Sequence, residues 1–157
     1  MPPGGEGKIT LKVNTTGYGG RKLSKNVQVF TNDSAGPQLN LVITGDVDKF
    51  VTITPRHANL MGYIGEQIKS TVIIIPERKY AFKILNVRAK NGSNIKFQLA
   101  KEQGQQITQY ALTVENLKQE QGRYFDTIIL ETDSNIQPKL EVRVFANIRP
   151  RQAKKVQ

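Results

Sequence analysis

The feature that most restricts the fold is an internal repeat. Val27, Val29, Thr31, Pro37, Leu39, Leu41 and Ile43 recur as Ile128, Leu130, Thr132, Pro138, Leu140, Val142 and Val144, in the same order, without a gap and 101 positions later. At the same offset Leu11 and Val13 fall on Leu112 and Val114, and Gly45 and Val47 on Ala146 and Ile148. Self-similarity at a fixed period marks one structural unit written twice, and a period of about 100 residues is that of an immunoglobulin-like sandwich domain. The match spans three expected strands.

Within it, apolar side chains stand at every second position, the pattern that puts one face of a strand on a core and leaves the other wet. Leu39, Leu41 and Ile43 in one copy and Leu140, Val142 and Val144 in the other therefore predict two hairpins, each burying one face. Their connections, 32–37 and 133–138, are turn chemistry, with Pro37 and Pro138 placed where the returning strand begins.

Only the second copy is preceded by further strand-like sequence. β-Branched runs at 50–54 and 68–75 end at Pro55 and Pro76, and alternating runs follow at 80–84 and 95–99. Leu85, Val87 and Ala89 take the opposite phase to Ile84, which predicts a bulge. Turns are expected at 62–65, at Asn91-Gly92 and at 103–105. Residues 49–148 thus hold about seven strands, the number of an immunoglobulin-like β-sandwich, and no stretch carries a helical period. The expected organisation is all-β: a partial immunoglobulin-like domain at 1–48 holding only its last strands, a complete sandwich at 49–148, and a basic tail at 149–157. A fragment of that size cannot bury enough apolar surface to stand alone, so it is expected to lean on the complete domain or on another chain.

Tyr124 and Asp126 precede the sixth strand of the second copy. A Tyr at this corner of a sandwich hydrogen-bonds back to the backbone. Asp126 stands where antibody domains carry cysteine, and its phase with Ile128 and Leu130 turns it toward the core, where a carboxylate needs donors. A structural corner contact is expected of the pair.

The run from Ile53 to Pro55, Leu60 to Gly65, Val72 to Pro76 and Phe82 to Ile84 resembles the opening of the abnormal-spindle/hydin and major-sperm-protein-like sandwiches. The stretch from Gly20 to Gly45, with Thr31, Asn32, Asp33 and Pro37, is similar to the closing half of the bacterial family called domain of unknown function fifteen seventy-three. What the resemblance implies is a non-catalytic module of secreted or envelope-associated bacterial proteins.

The residues themselves offer little for catalysis. There is no cysteine, and His57 is the single histidine, so thiol chemistry, disulfides and Cys/His metal cages are excluded. The serines show no nucleophile-elbow pattern, and Gly17 to Gly20 lacks the Lys-Ser/Thr of a phosphate loop. No catalytic residue, metal site or cofactor is expected; turnover dependent on Asp126 or His57 would reopen the question.

Charge points to a second binding mode. The formal net charge is +10, with five basic against four acidic residues in 1–48, fourteen against nine in 49–148, and four with no acid in 149–157. Arg78, Lys79, Lys83, Arg88, Lys90 and Lys96 on the strands, with Arg149, Arg151, Lys154 and Lys155 in the tail, are the candidate polyanion contacts. Tyr80 and Phe82 are expected on the buried face of that strand, which argues for a solvated basic face rather than a base-stacking platform. The primary expectation is a binding or structural module of a bacterial envelope or scaffold protein, meeting a protein partner or a second copy through an open sheet edge; nucleic acid is the alternative. No apolar run approaches a membrane span. The opening Met1 to Glu6 lacks a secretion signal, so a periplasmic, envelope or secreted location requires a removed upstream signal and a cytoplasmic one does not.

Overall fold

The computed structural model describes residues 6–103 and 108–151. The chain is all-β and divides into two compact units, Met1–Lys49 and Phe50–Gln157.

The second unit is a sandwich-like pair of four-stranded sheets. Its strands are β3 (Val51–Thr54), β4 (His57–Tyr63), β5 (Lys69–Pro76), β6 (Ile84–Ala89), β7 (Ile95–Gln103), β8 (Thr108–Asn116), β9 (Gly122–Thr132) and β10 (Lys139–Arg149). One sheet runs β4-β10-β9-β6 and the other β3-β5-β8-β7. All neighbours are antiparallel except β4, which lies parallel to β10. The chain changes sheet between β3, β4, β5, β6 and β7, so the sheets are stitched together by their early connections. Alternation then fills the space between them: Val72 and Ile74 from β5, Leu112 and Val114 from β8, Ile128 and Leu130 from β9, and Val142 and Val144 from β10 are all fully buried. Leu60 from β4 joins them.

The first unit is a hairpin of β1 (Arg21–Phe30) and β2 (Gln38–Val47). Its register repeats that of β9 and β10 at the 101-residue offset: Val29 pairs with Leu39 and Leu130 with Leu140, Val27 with Leu41 and Ile128 with Val142. The two loops are also built alike. The Thr31 hydroxyl donates to the Gly36 carbonyl (2.6 Å) and the Thr132 hydroxyl to the Gln137 carbonyl (2.6 Å). The Thr31 and Thr132 amides donate to the carbonyls of Pro37 and Pro138, each at 2.9 Å. A threonine that satisfies the loop from inside explains why both connections keep Thr and Pro at the same spacing.

What differs is the cover. β9 and β10 are flanked by β6 and β4 and faced by the other sheet, whereas β1 and β2 pair only with each other among the described residues. The expectation that both hairpins bury an apolar face therefore fails for the first. Leu39 is 51% exposed where Leu140 is 5% exposed, and Leu41 is 36% exposed where Val142 is fully buried. Of the hairpin's apolar side chains only Leu23 is buried. The third matched strand fails too: Leu11 and Val13 lie in irregular chain, while Leu112 and Val114 sit in β8. β8 is a central strand held by β5 and β7, and a single strand without neighbours has no partner for its backbone groups.

Three further differences have local causes. β4 is a strand that the expected elements omit: between Pro55 and the turn expected at 62–65, Ala58 and Leu60 alternate into the core, and Gly62 and Tyr63 belong to the strand. Of the expected strand run 80–84 only Ile84 is in a strand, as the first residue of β6. Arg78–Tyr80 form a 3-10 turn, with the Tyr80 amide donating to the Glu77 carbonyl (2.9 Å). Phe50 stacks on Phe82 (5.0 Å between centroids) and lies against Tyr80 (5.9 Å), so one neighbouring ring holds both aromatics without a ladder. The bulge falls at Leu85, between the Ile84 and Asn86 pairings with β9, and leaves Leu85 exposed instead of turning it inward with Val87. The expected turn at 103–105 reaches outside the described residues.

Equivalent truncations in the two hairpins should therefore have unequal costs. Leu140→Ala should lower stability by about 2–5 kcal/mol in urea unfolding of the full chain, and Leu39→Ala by under about 0.5 kcal/mol. Equal losses would contradict the difference in cover.

Candidate binding surfaces

The corner pair sits where the chain crosses between sheets. Tyr124 on β9 donates its hydroxyl to the Asn116 side-chain oxygen (2.7 Å) at the end of β8 and approaches the Asn94 carbonyl (3.0 Å) just before β7. Asp126, two residues on, is buried and accepts the amides of Asn91 (3.1 Å) and Gly92 (2.8 Å) in the β6–β7 turn and of its neighbour Thr127 (2.7 Å). Gly92 holds φ at 79°, the left-handed conformation that lets the turn present two successive amides to one carboxylate. With its oxygens occupied by backbone donors, Asp126 is a staple in a polar corner. Burial, and then the charge of Asp126, pushes the Tyr124 phenol up to about 12.

The six basic residues of the 78–96 region do not share a face. Arg78 and Lys79 lie on the 3-10 turn, with the Lys79 ammonium 5.2 Å from the Tyr80 ring centre. Lys83 leads into β6, its amide donating to Asp133 Oδ1 (2.7 Å). Arg88 is on β6 in one sheet and Lys96 on β7 in the other, with Lys90 between them. The single basic strand face expected from the sequence is thus broken up, because the chain turns at 78–80 and changes sheet after β6. Acidic groups also answer part of this charge. Arg88 Nε lies 3.3 Å from Glu131, and Lys96 acts on Glu115, which also lies 3.6 Å from the Lys69 ammonium outside this set. Hydrogen bonds from Asn86 and then Arg88 hold the Glu131 carboxyl below its ordinary range, and the Gln67 amide with Lys69 and Lys96 does the same for Glu115. Of the tail residues, Arg149 ends β10 and Arg151 is exposed; Lys154 and Lys155 lie outside the described residues.

A cleft of about 390 Å³ opens beside the 3-10 turn. Its wall mixes Arg78, Lys83 and Lys101 with Glu77 and Asp133, so cations and carboxylates stand side by side. No group of three or more His, Asp or Glu side chains among the described residues is arranged to hold a metal ion, and no described helix is long and apolar enough to cross a membrane.

Two surfaces escaped the sequence reading. One is the uncovered face of the β1–β2 hairpin. The other is the outer face of the β4-β10-β9-β6 sheet, where strand register sets side chains in rows. Phe125 lies beside Phe145 and then Asn59; Arg123 beside Asn147 and then Met61; Thr127 beside Arg143 and then His57; Arg149 beside Tyr63. Phe125 is 80% exposed, and Phe145, Met61 and Tyr63 are also exposed. The His57 ring meets Phe145 edge-on at 5.2 Å. A signal for this face was present. Once Ile128, Leu130, Val142 and Val144 are assigned inward, a period of two leaves Phe125 and Phe145 outside.

No protein-family model and no curated protein matches the chain.

The corner hydrogen bond has a pH signature. The phenol ionises near its ordinary value of 10.0 when unfolded and near about 12 when folded. The stability it contributes is therefore complete below pH 10 and is lost as pH rises toward 12. Tyr124→Phe should cost about 1–2 kcal/mol at neutral pH, and denaturant unfolding should show the variant losing less further stability than the parent across that alkaline window. Parallel losses in the two proteins would remove Tyr124 from the corner.

Proposed function

We propose that the chain is a non-catalytic, immunoglobulin-like binding or structural module that meets other protein through its first hairpin. The observation that carries this reading is the pair of matched hairpins. The same register and loop are complete in β9–β10, where neighbouring strands and a facing sheet cover them, and are bare in β1–β2. A two-stranded hairpin alone is marginal in water, and its outer edges offer unpaired backbone groups to any added strand. The occupant is a protein segment that does for β1 and β2 what β6, β4 and the facing sheet do for β9 and β10. A second copy of the chain can supply such an edge, so self-association is the first form to look for.

The facing of two mostly antiparallel sheets in the second unit, the repeat and the Tyr124 corner support an immunoglobulin-like assignment with tandem copies; the second unit has eight strands among the described residues, where the sequence predicts about seven. The similarity to domain of unknown function fifteen seventy-three and to the hydin-like sandwiches supports a place in a multidomain bacterial envelope or scaffold protein. Asp126 has a structural part in this reading, holding the β6–β7 turn through the amides of Asn91 and Gly92.

Light scattering over a concentration series should show the full chain associating. The double substitution Leu39→Lys and Leu41→Lys should restore a monomer without changing the melting of the Phe50–Gln157 unit. A parent chain that stays monomeric at every concentration and behaves like the variant would contradict the proposal.

A further inference from the structure

We propose that the outer face of the β4-β10-β9-β6 sheet is a binding platform for single-stranded nucleic acid, with Phe125 and Phe145 stacking on bases and Arg123, Arg143 and Arg149 meeting phosphates. The two rings stand side by side on adjacent strands, and Phe125 is nearly free of protein cover. Exposed rings on a sheet give stacking surfaces to bases of any sequence. The cations are interleaved with them: Arg123 is two positions from Phe125 on β9, and Arg143 is two from Phe145 on β10, each outward on the same face. Rows two residues apart are separated by about 7 Å, so guanidinium groups flank the rings along the strand direction.

Charge decides between a nucleic acid and a protein as the occupant. None of the side chains in these rows is acidic, and none of the three arginines has an ion-pair partner among the described residues. The carboxylates on the strands of this sheet face are Glu141, one row beyond Arg143 and opposite Ile129, and Glu131, which is paired with Arg88. Three exposed arginines and no carboxylate in the same rows give this face one sign of charge, which a polyanion complements. The formal net charge of +10 adds long-range attraction for a polyanion. Of the basic residues of 78–96 only Arg88 is on this sheet face, beside Ile129 and paired with Glu131. This surface is independent of the hairpin proposed to bind protein.

The test is fluorescence anisotropy of labelled oligo(dT) and oligo(U) with the full chain, with polyphosphate as a base-free polyanion. Saturable binding of either oligonucleotide is expected, and the stronger of the two identifies the preferred sugar. Phe125→Ala and Phe145→Ala should each weaken it about tenfold, and Phe125→Trp should retain it. Each of Arg123→Gln, Arg143→Gln and Arg149→Gln should reduce the slope of log affinity against log salt by about 0.7. Because all five side chains are exposed, circular dichroism of the variants should match the parent. The proposal is overturned by absent binding at low salt, or by oligonucleotide affinity that polyphosphate matches and the Phe→Ala changes leave intact. It is also overturned by a chain that dimerises through Phe125, with Phe125→Ala giving a monomer that binds no less oligonucleotide than the parent.

Discussion

Closure of the apolar face of β9 and β10 against the sheet containing β5 and β8 is the interaction on which the second unit depends. Ile128, Leu130, Val142 and Val144 meet Val72, Ile74, Leu112 and Val114 in one buried layer. With few polar groups inside and no disulfide to help, burial of these side chains is the main stabilising term, at about 1.5–3 kcal/mol each. The backbone cost of ordering the strands is offset most fully when both edges of the hairpin are paired and its face is covered. β4 and β6 do the first, and the facing sheet does the second.

The β1–β2 hairpin has the same register and the same Thr-to-carbonyl loop without that closure. The pair forms a natural comparison within one chain: local sequence is enough to specify the hairpin, and tertiary cover decides whether its apolar side chains are core or surface. The same principle separates the two faces of the second unit's β4-β10-β9-β6 sheet. Its inner residues are fixed by packing, while its outer rows, with no second layer above them, present aromatics and arginines to solvent. The Tyr124–Asp126 corner then ties the β6–β7 and β8–β9 connections to β9 within the second unit, leaving that outer face on a stiff frame.

Much of the β architecture was legible from alternation alone, because strands with one wet face write that face into the sequence every second residue. The buried set of β9 and β10 and the inward turn of Asp126 follow from this pattern. It failed where a short pattern has two physical solutions. Lys79 to Lys83 alternates like a strand, but stacking of Phe82 and Tyr80 around Phe50 satisfies the aromatics in a turn. His57 to Tyr63 is a strand that follows Pro55 and contains Gly62, two residues that read as loop. Periodicity also says which face is apolar and not whether anything covers it, so Leu39 and Leu41 looked like core. The basic residues of 78–96 were adjacent in sequence, yet a change of sheet after β6 separated them, and neither Phe125 nor Phe145 stood near them in the chain.

Amide hydrogen exchange on the isolated full chain tests the central claim most directly, because it compares matched positions such as Val29 with Leu130 and Val27 with Ile128 in a single experiment. The amides paired within β9–β10 should exchange only with cooperative unfolding of the second unit, and their β1–β2 counterparts faster by orders of magnitude. Equal, strong protection in both hairpins of a monomeric chain would show that the first hairpin is already covered, and would contradict the account.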